Sequence, residues 1–289
     1  MRSCLCFLFC LSLFPVIAQP NTEIYLLDST PTEDGFSTSN FRNISNNPGY
    51  DNQPYFTDNN QLLFAKTRNG QTDIALYNLR TGSTNWQNST PQGGEYSPRP
   101  IPGSGGVAAV RLDTTGLQRL YAFDTASNTD SVLVADLQVA YFTFVGESLL
   151  LASVLGDDGL HLVTSNLGTR KTDTLLTNAG RSIHAMPNGA TASYTYINEQ
   201  GNHDIYQFDF KTGESYFVAQ LPIGVQDHIW LNETTLLIGS GAKLFSYDLF
   251  GNGKWIEVAD LSDNGITDIS RLAISPNGRH LALVANPQS

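Results

Sequence analysis

The sequence predicts an all-β protein, a six-bladed β-propeller of four-stranded antiparallel blades. One strand-and-turn pattern, clearest in Asp73–Gly82 and Asp204–Gly213, recurs six times. Its aligned aliphatic residues are 39 to 50 positions apart: Ile24, Ile74, Leu120, Leu162, Ile205 and Leu244. A second series of apolar residues recurs every 42 to 45 positions: Phe56, Ile101, Phe144, Met186, Trp230 and Ile274. Repeats of about 40–45 residues that hold several short strands are typical of propellers.

Four strands can be assigned within a repeat, in chain order. The second apolar series marks the first strand, and a turn such as Asp58–Asn60 follows it. An uninterrupted apolar segment such as Leu62–Ala65 predicts a second strand buried on both faces. The Asp-Ile pattern forms the third strand, and a weaker segment such as Trp86–Asn88 forms the fourth. No amphipathic helix is predicted, and residues 29–49, rich in Ser, Thr, Asn and Pro, predict a long loop.

The two ends of the chain complement each other. The last repeat has a first strand and a second strand, Leu281–Val284, and then the chain stops. Ahead of the first full repeat lie a third-type strand, Glu23–Asp28, and a candidate fourth strand, Phe41–Ile44. We expect these strands to pair into one sheet and close the ring, which would remove the exposed sheet edges.

The first 18 residues have the features of a secretory signal peptide. Arg2 precedes an apolar segment, Leu5–Phe14, and Val16 and Ala18 are small residues suited to cleavage before Gln19. We therefore expect residues 1–18 to be removed and residues 19–289 to form a single propeller domain. All 3 cysteines lie within the leader, so the mature chain would carry no thiol, which suits an oxidising compartment.

The net charge and the hydropathy of the chain disfavour nucleic acid and an integral membrane segment. The formal net charge of −11 disfavours nucleic acid, because binding its phosphates requires clustered Lys and Arg. After the leader, no apolar stretch approaches the length of about 18 residues that a transmembrane helix needs. We expect a monomeric, periplasmic or secreted protein with no integral membrane segment and no nucleic-acid partner.

Three segments carry a resemblance to a known family. Tyr50–Phe56 leading to Asn69–Ile74, together with Ser275–Arg279, resembles the TolB-like, WD-repeat-like propeller repeats of bacterial extracytoplasmic proteins. The resemblance covers nearly all of the chain after the leader and implies an exported protein with a binding role. TolB has an extra N-terminal domain, and peptidases with similar propellers have an α/β-hydrolase domain; nothing in this sequence corresponds to either.

The first strand of each propeller blade lines the central channel, and the loops that enter these strands form one rim, which is the expected site. Two positions before each anchor of the second series come Pro54, Arg99, Phe142, His184, His228 and Leu272. Unpaired polar groups cost about 1–3 kcal/mol each when buried, so polar residues here indicate water or a ligand in the channel. The predicted ligand-binding residues are Asp51, Tyr96, Arg99, Tyr141, Arg181, His184, Asp227, His228, Asp268 and Arg271.

These residues allow more than one chemistry. His184 and His228 occupy equivalent places in adjacent blades and could form a metal pair with Asp227, although two solvated channel histidines are the simpler interpretation. Arg99 and Arg181 could hold a carboxylate or phosphate through bidentate hydrogen bonds. Ion pairs of these arginines with the nearby aspartates are the simpler alternative; the candidates are Asp51, Asp227 and Asp268.

The motifs favour binding over catalysis. Neither a Gly-x-Ser-x-Gly elbow nor a His-Glu-x-x-His motif occurs. We expect a non-catalytic scaffold that recognises a protein or peptide through the channel rim, without a bound cofactor. One alternative is a lactonase-type hydrolase with a calcium or zinc ion in the channel, whose candidate ligands are Asp51, Asn52, Glu95, Asp227 and Asp268. Another is a carbohydrate-binding protein that uses Tyr50, Tyr96 and Tyr141.

Overall fold

The computed structural model describes residues 20–32, 35–186 and 189–288, and the predicted leader lies outside these residues. Six four-stranded antiparallel sheets surround a common axis. The prediction of an all-β, six-bladed propeller is therefore confirmed. In the part of the chain that the structure describes, the one helical element is a 3-10 turn at Ser262–Asn264, and no helix is long and apolar enough to cross a membrane.

Five blades are continuous in sequence, and each runs from the channel outward. The first consists of β3 (Asn52–Asp58), β4 (Gln61–Arg68), β5 (Gln71–Asn78) and β6 (Ser83–Trp86). The second consists of β7 (Gly94–Pro100), β8 (Val107–Leu112), β9 (Gln118–Asp124) and β10 (Thr129–Val134). The third consists of β11 (Val139–Val145), β12 (Leu149–Gly156), β13 (Gly159–Asn166) and β14 (Thr172–Leu176).

The remaining continuous blades follow the same order. The fourth consists of β15 (Ala179–Ala185), β16 (Thr191–Ile197), β17 (His203–Asp209) and β18 (Glu214–Gln220). The fifth consists of β19 (Ile229–Trp230), β20 (Thr235–Ser240), β21 (Lys243–Asp248) and β22 (Ile256–Asp260).

The sixth blade joins the two ends of the chain. Its order is β2 (Gly35–Asn43), β1 (Glu23–Thr32), β24 (His280–Pro287) and β23 (Ile266–Ile274). In the β1–β24 pairing Ile24 lies opposite Val284, as the closure scheme requires. The predicted loop over residues 29–49 is wrong, because most of it belongs to the β1–β2 hairpin. An outermost strand faces solvent widely, so its composition is polar and its apolar signal is weak.

The hydrophobic core lies between neighbouring blades. Between the sixth and first blades, Ile24, Leu26 and Val284 pack with Phe64 and Ala75, and all five side chains are buried. The continuous apolar segments predicted as second strands are buried on both faces, as this arrangement demands. The closing strand β1 therefore contributes to the packing of two blades as well as to the hydrogen bonding of one.

Candidate functional site

The first strands and the loops before them surround a narrow central channel. Its middle is a cavity of about 50 Å³, enough for a few water molecules. The structure places around it all six residues that precede the anchors, namely Pro54, Arg99, Phe142, His184, His228 and Leu272. Larger cavities open at both ends. We call the end where the chain enters the first strands the upper mouth, and the opposite end the lower mouth.

Backbone irregularities in the first strands accompany this channel lining. The register shifts near the start of β3, β7 and β23. At these shifts Gln53, Ser97 and Asp268 have left-handed φ angles of 57°, 52° and 50°. Bulges of this kind redirect the side chains that follow them. The Gln53 side-chain oxygen accepts a hydrogen bond from the Ser97 backbone at 2.8 Å, which links two blades beside the channel.

A charged cluster crosses the channel below the upper mouth. Arg181 donates from Nε to Asp227, and its Nη2 both forms an ion pair with Asp227 and donates to the Ser270 carbonyl at 3.1 Å. Arg271 lies 3.6 Å from the second Asp227 oxygen. Two arginines thus share one carboxylate, which leaves a net charge of about +1. The predicted ion pair of Arg181 with Asp227 is confirmed.

Tyrosines surround this cluster on the side of the first three blades. The Arg271 guanidinium lies 5.4 Å from the centre of the Tyr141 ring. Tyr50 and Tyr96 contact each other edge to face, with ring centres 5.8 Å apart. Burial raises the pKa of Tyr50, so its hydroxyl stays protonated at neutral pH. Of the predicted residues, Asp268 is exposed and lines the upper cavity with Arg271, whereas Tyr96 packs against the second-blade core.

The two histidines belong to a hydrogen-bonded chain in the channel wall. The Trp230 indole donates to the Ser193 hydroxyl, which lies 2.8 Å from His228 Nε2. His228 Nδ1 lies 3.2 Å from the Ser182 hydroxyl, which lies 3.0 Å from His184 Nε2. Because the Ser193 oxygen accepts from the indole, its own hydrogen is free for His228 Nε2, an arrangement that suits the Nδ1–H tautomer of His228. Ser193 was not predicted, and a lone serine in a second strand gives no sequence signal for this role.

Both histidines are neutral at pH 7. Burial lowers the pKa of His228 to about 4. Burial, and then the neighbouring His228, lower the pKa of His184 well below 6.5. The interpretation of two solvated channel histidines is wrong for His228, which is buried with both ring nitrogens engaged. Within the described ranges, no three His, Cys, Asp or Glu residues are grouped so that they could hold a metal ion.

Arg99 occupies the opposite end of the channel. Its guanidinium lies 4.8 Å from the centre of the Tyr55 ring and donates to the Ile183 carbonyl at 3.5 Å, the outer limit of a hydrogen bond. Its Nε is buried without a hydrogen-bond partner. The predicted ion pair of Arg99 with an aspartate is wrong, since no acidic residue in the described part of the chain lies within 4.0 Å of it.

Asp51 lies outside the channel, contrary to the prediction. It is fully buried between the sixth and first blades, 3.1 Å from Lys66 Nζ, and it accepts hydrogen bonds from the Thr67 backbone and the Asn47 side chain. Asn47 also donates its backbone N–H to Glu23 of the preceding blade. Asp51 therefore connects two blades.

A second cluster repeats this arrangement one blade further on. Asn88 donates to Glu95 at 2.8 Å and to Asp73 of the preceding blade at 3.2 Å. Arg111 takes the place of the lysine, with its Nε 4.0 Å from Glu95 Oε1. Burial raises the pKa of Glu95 to about 7. A signal for both clusters is present in the sequence, because each blade that starts with the acid carries its basic partner in the second strand.

Comparisons with known proteins agree on the fold. No protein-family model and no curated protein matches the sequence. A putative TolB from Agrobacterium tumefaciens superposes with a TM-score of 0.67 at 12% identity, over 92% of this chain and 98% of that one. TolB from Acinetobacter baumannii gives 0.57 at 12% identity over 93% of this chain, which spans 64% of its length.

An oligogalacturonate lyase from Vibrio parahaemolyticus is also similar, with a TM-score of 0.54 at 11% identity, over 93% of this chain and 98% of that one. At such low identities these likenesses show the fold alone. The fold of the chain is similar to the propeller of TolB, in agreement with the resemblance of its repeats.

Proposed function

We propose that this TolB-like propeller is an exported binding protein that recognises a protein partner through a peptide segment held at the upper mouth. The observation that carries the proposal is the Arg181–Asp227–Arg271 cluster, whose net charge of about +1 lies beside a cavity of about 360 Å³, with Asp268 at the exposed edge of that cavity. Arginine can hold a carboxylate through two parallel hydrogen bonds, so an acidic side chain of a partner fits this position.

An apolar contact lies next to the charge. Ile223, in the loop that leads into β19, is 89% exposed and lines the same cavity. A nearly fully exposed isoleucine in the same cavity as two arginines resembles the composition of binding hot spots more than that of an ordinary surface. The expected partner segment therefore presents an acidic residue and an apolar residue close together.

Peptide selection tests this proposal without a known partner. The purified protein is used to select peptides from an unbiased display library, and the selected peptides are measured by fluorescence anisotropy. We expect enrichment of Asp or Glu, and affinities at least about tenfold weaker for Arg271→Gln and for Ile223→Ser. Phe250→Ser is the matched control, because Phe250 is 84% exposed in the same blade but lies in the β21–β22 turn on the opposite face.

Selected peptides that bind all three variants as they bind the wild type would refute the upper mouth as the binding surface. Circular dichroism melting curves of each variant separate loss of binding from loss of fold. We also propose that the protein is a monomer without a resident metal and that the leader is cleaved. A mature N-terminus at Gln19 would support cleavage, and a single-chain mass in light scattering would support the monomer.

A second candidate is an enzyme, which the likeness to an oligogalacturonate lyase favours. A lactonase-type hydrolase would need calcium or zinc in the channel, but Asp51 and Glu95 are engaged between blades, which leaves Asp227 and Asp268 at the upper mouth. Elemental analysis distinguishes the enzyme from the binding protein. Stoichiometric metal, together with cleavage of a lactone or of oligogalacturonate that a chelator abolishes, would favour the enzyme. A protein that binds carbohydrate through Tyr50, Tyr96 and Tyr141 would instead bind neutral sugars with an affinity that Arg271→Gln leaves unchanged.

A further inference from the structure

The lower mouth holds a cavity distinct from the proposed peptide site. It has a volume of about 420 Å³, within the range of small-molecule sites. Most of its lining residues are apolar, and they include Phe56, Trp230, Leu272 and Ile274. Arg99 and His184 line it as well, at the boundary with the channel.

Arg99 is a half-buried cation, and no acidic side chain in the described part of the chain pairs with it. Its Nε has no hydrogen-bond partner, its hydrogen bond to the Ile183 carbonyl is long, and the Tyr55 side chain supplies one further hydrogen bond. Burial lowers the pKa of Arg99, and Arg271 in the same channel lowers it further by repulsion. A charge removed from water without a counter-charge is costly, and a donor left unsatisfied adds to that cost. The cation–π contact and the side-chain hydrogen bond with Tyr55 offset part of this cost but leave Nε unsatisfied.

The channel does not supply the missing anion. The charged side chains around its central cavity are three arginines and one aspartate: Arg99, Arg181, Arg271 and Asp227. Asp227 is bound by Arg181 and Arg271 at the upper end. The channel wall therefore carries a net charge of about +2 in a protein whose net charge is −11.

We propose that the lower mouth binds a small organic carboxylate, with the carboxylate on Arg99 and an apolar body against Trp230 and Ile274. The planar guanidinium matches a carboxylate in a fork-to-fork arrangement. A single negative charge suits the site better than a phosphate dianion, because His184 is neutral and Arg99 is the one cation among the lining residues. The site lies on the face opposite the peptide site and does not depend on it.

Titration with a graded series of acids tests the proposal. Acetate, butyrate, hexanoate and 4-phenylbutyrate are titrated into the full-length mature protein at pH 7 and followed by ligand-observed NMR and calorimetry. We expect affinity to rise with the apolar part of the acid and 4-phenylbutyramide, the neutral analogue, to bind at least about tenfold more weakly than its acid. This comparison needs no variant, so it stands even if substitution of Arg99 disturbs the fold.

Variants then locate the site. Arg99→Gln is expected to weaken the binding of 4-phenylbutyrate at least about tenfold, and Arg99→Lys to give an intermediate value, because lysine keeps the charge but loses the fork. Arg119→Gln is the matched control, since Arg119 also lies over a tyrosine, 5.6 Å from the Tyr121 ring, but outside the channel. Arg271→Gln is expected to leave this binding within about twofold, which separates the lower mouth from the upper one.

Three results would overturn the proposal. The first is no binding of any acid in the series at up to about 10 mM. The second is equal affinity for the acid and the amide. The third is a folded Arg99→Gln variant, with an unchanged melting curve, that binds the acid as the wild type does.

Discussion

Glu95 gives this propeller a dependence of stability on pH that its surface acids would not produce. The side chain is fully buried between the first and second blades, and its Oε1 has no hydrogen-bond partner. Burial raises its pKa from 4.5 to about 7, although Asn88, Thr90 and Arg111 act in the opposite direction. Because the folded pKa lies above the unfolded one, the folded state favours the protonated acid.

The sign and size of the effect follow from this difference. The stability that the protonated Glu95 contributes is fully present below pH 4.5 and is lost as the pH rises through about 7. A pKa difference of one unit corresponds to about 1.4 kcal/mol. The difference between 4.5 and about 7 therefore sets an upper limit of about 3 kcal/mol on this contribution to stability. The charge of Asp73 raises this pKa and that of Arg111 lowers it, and we therefore expect about 1–3 kcal/mol.

Glu95→Gln isolates this contribution, because glutamine keeps the shape and the acceptor for Asn88 but cannot ionise. Urea unfolding at pH 5 and at pH 9 is the assay. The variant and the wild type should have similar free energies of unfolding at pH 5, and the variant should be more stable by about 1–3 kcal/mol at pH 9. Glu199→Gln, at an exposed glutamate, is the control. A Glu95→Gln variant whose difference from the wild type is the same at both pH values would refute the reasoning.

Three further predictions concern packing and closure. Ile24→Ala should lower the free energy of unfolding by about 2–4 kcal/mol in denaturant titrations, because the side chain is fully buried between two blades. Gly180→Ala should destabilise by about 1–3 kcal/mol, since a Cβ there would meet Thr195 Oγ1, whereas Gly105→Ala, with open space around it, should be tolerated within about 0.5 kcal/mol. Deleting residues 19–47 removes β1 and β2 and should give a lower melting temperature and association through the exposed edge of β24; an unchanged, monomeric protein would contradict the closure scheme.

The fold could be predicted because its signals recur. Each second strand is buried on both faces, so segments such as Leu62–Ala65 and Leu281–Val284 are continuously apolar and stand out from the turns around them. The β1–β2 hairpin was predicted only in part, as Glu23–Asp28 and Phe41–Ile44, because an outermost strand has no such requirement. Phe36 and Phe41 are its few apolar contacts, and the latter stacks on Tyr25 at 4.9 Å between ring centres.

The channel positions could be predicted, but the pairing of their charges could not. Arg99 and Arg181 are both arginines in first strands, yet only Arg181 finds an aspartate. That aspartate is 46 residues away in sequence, and its place is set by the loop before β19. The sequence pattern around an arginine does not show which other blade of the propeller supplies its acidic partner. It also does not show that Asp51, which comes just before the bulge in β3, lies between blades instead of in the channel.

The distribution of charge connects the stability of the ring with its choice of ligand. Two of the buried acids, Asp51 and Glu95, sit between blades with Lys66 and Arg111, where they join neighbouring sheets. The channel instead keeps arginines in excess of acids. At physiological ionic strength the field of exposed charges is screened beyond about 8 Å, so the net negative surface does little to repel an anion that has reached the channel. Selection for an anion must then come from short-range contacts with individual guanidinium groups, and Arg99 is the channel arginine that no acid of the described chain already pairs.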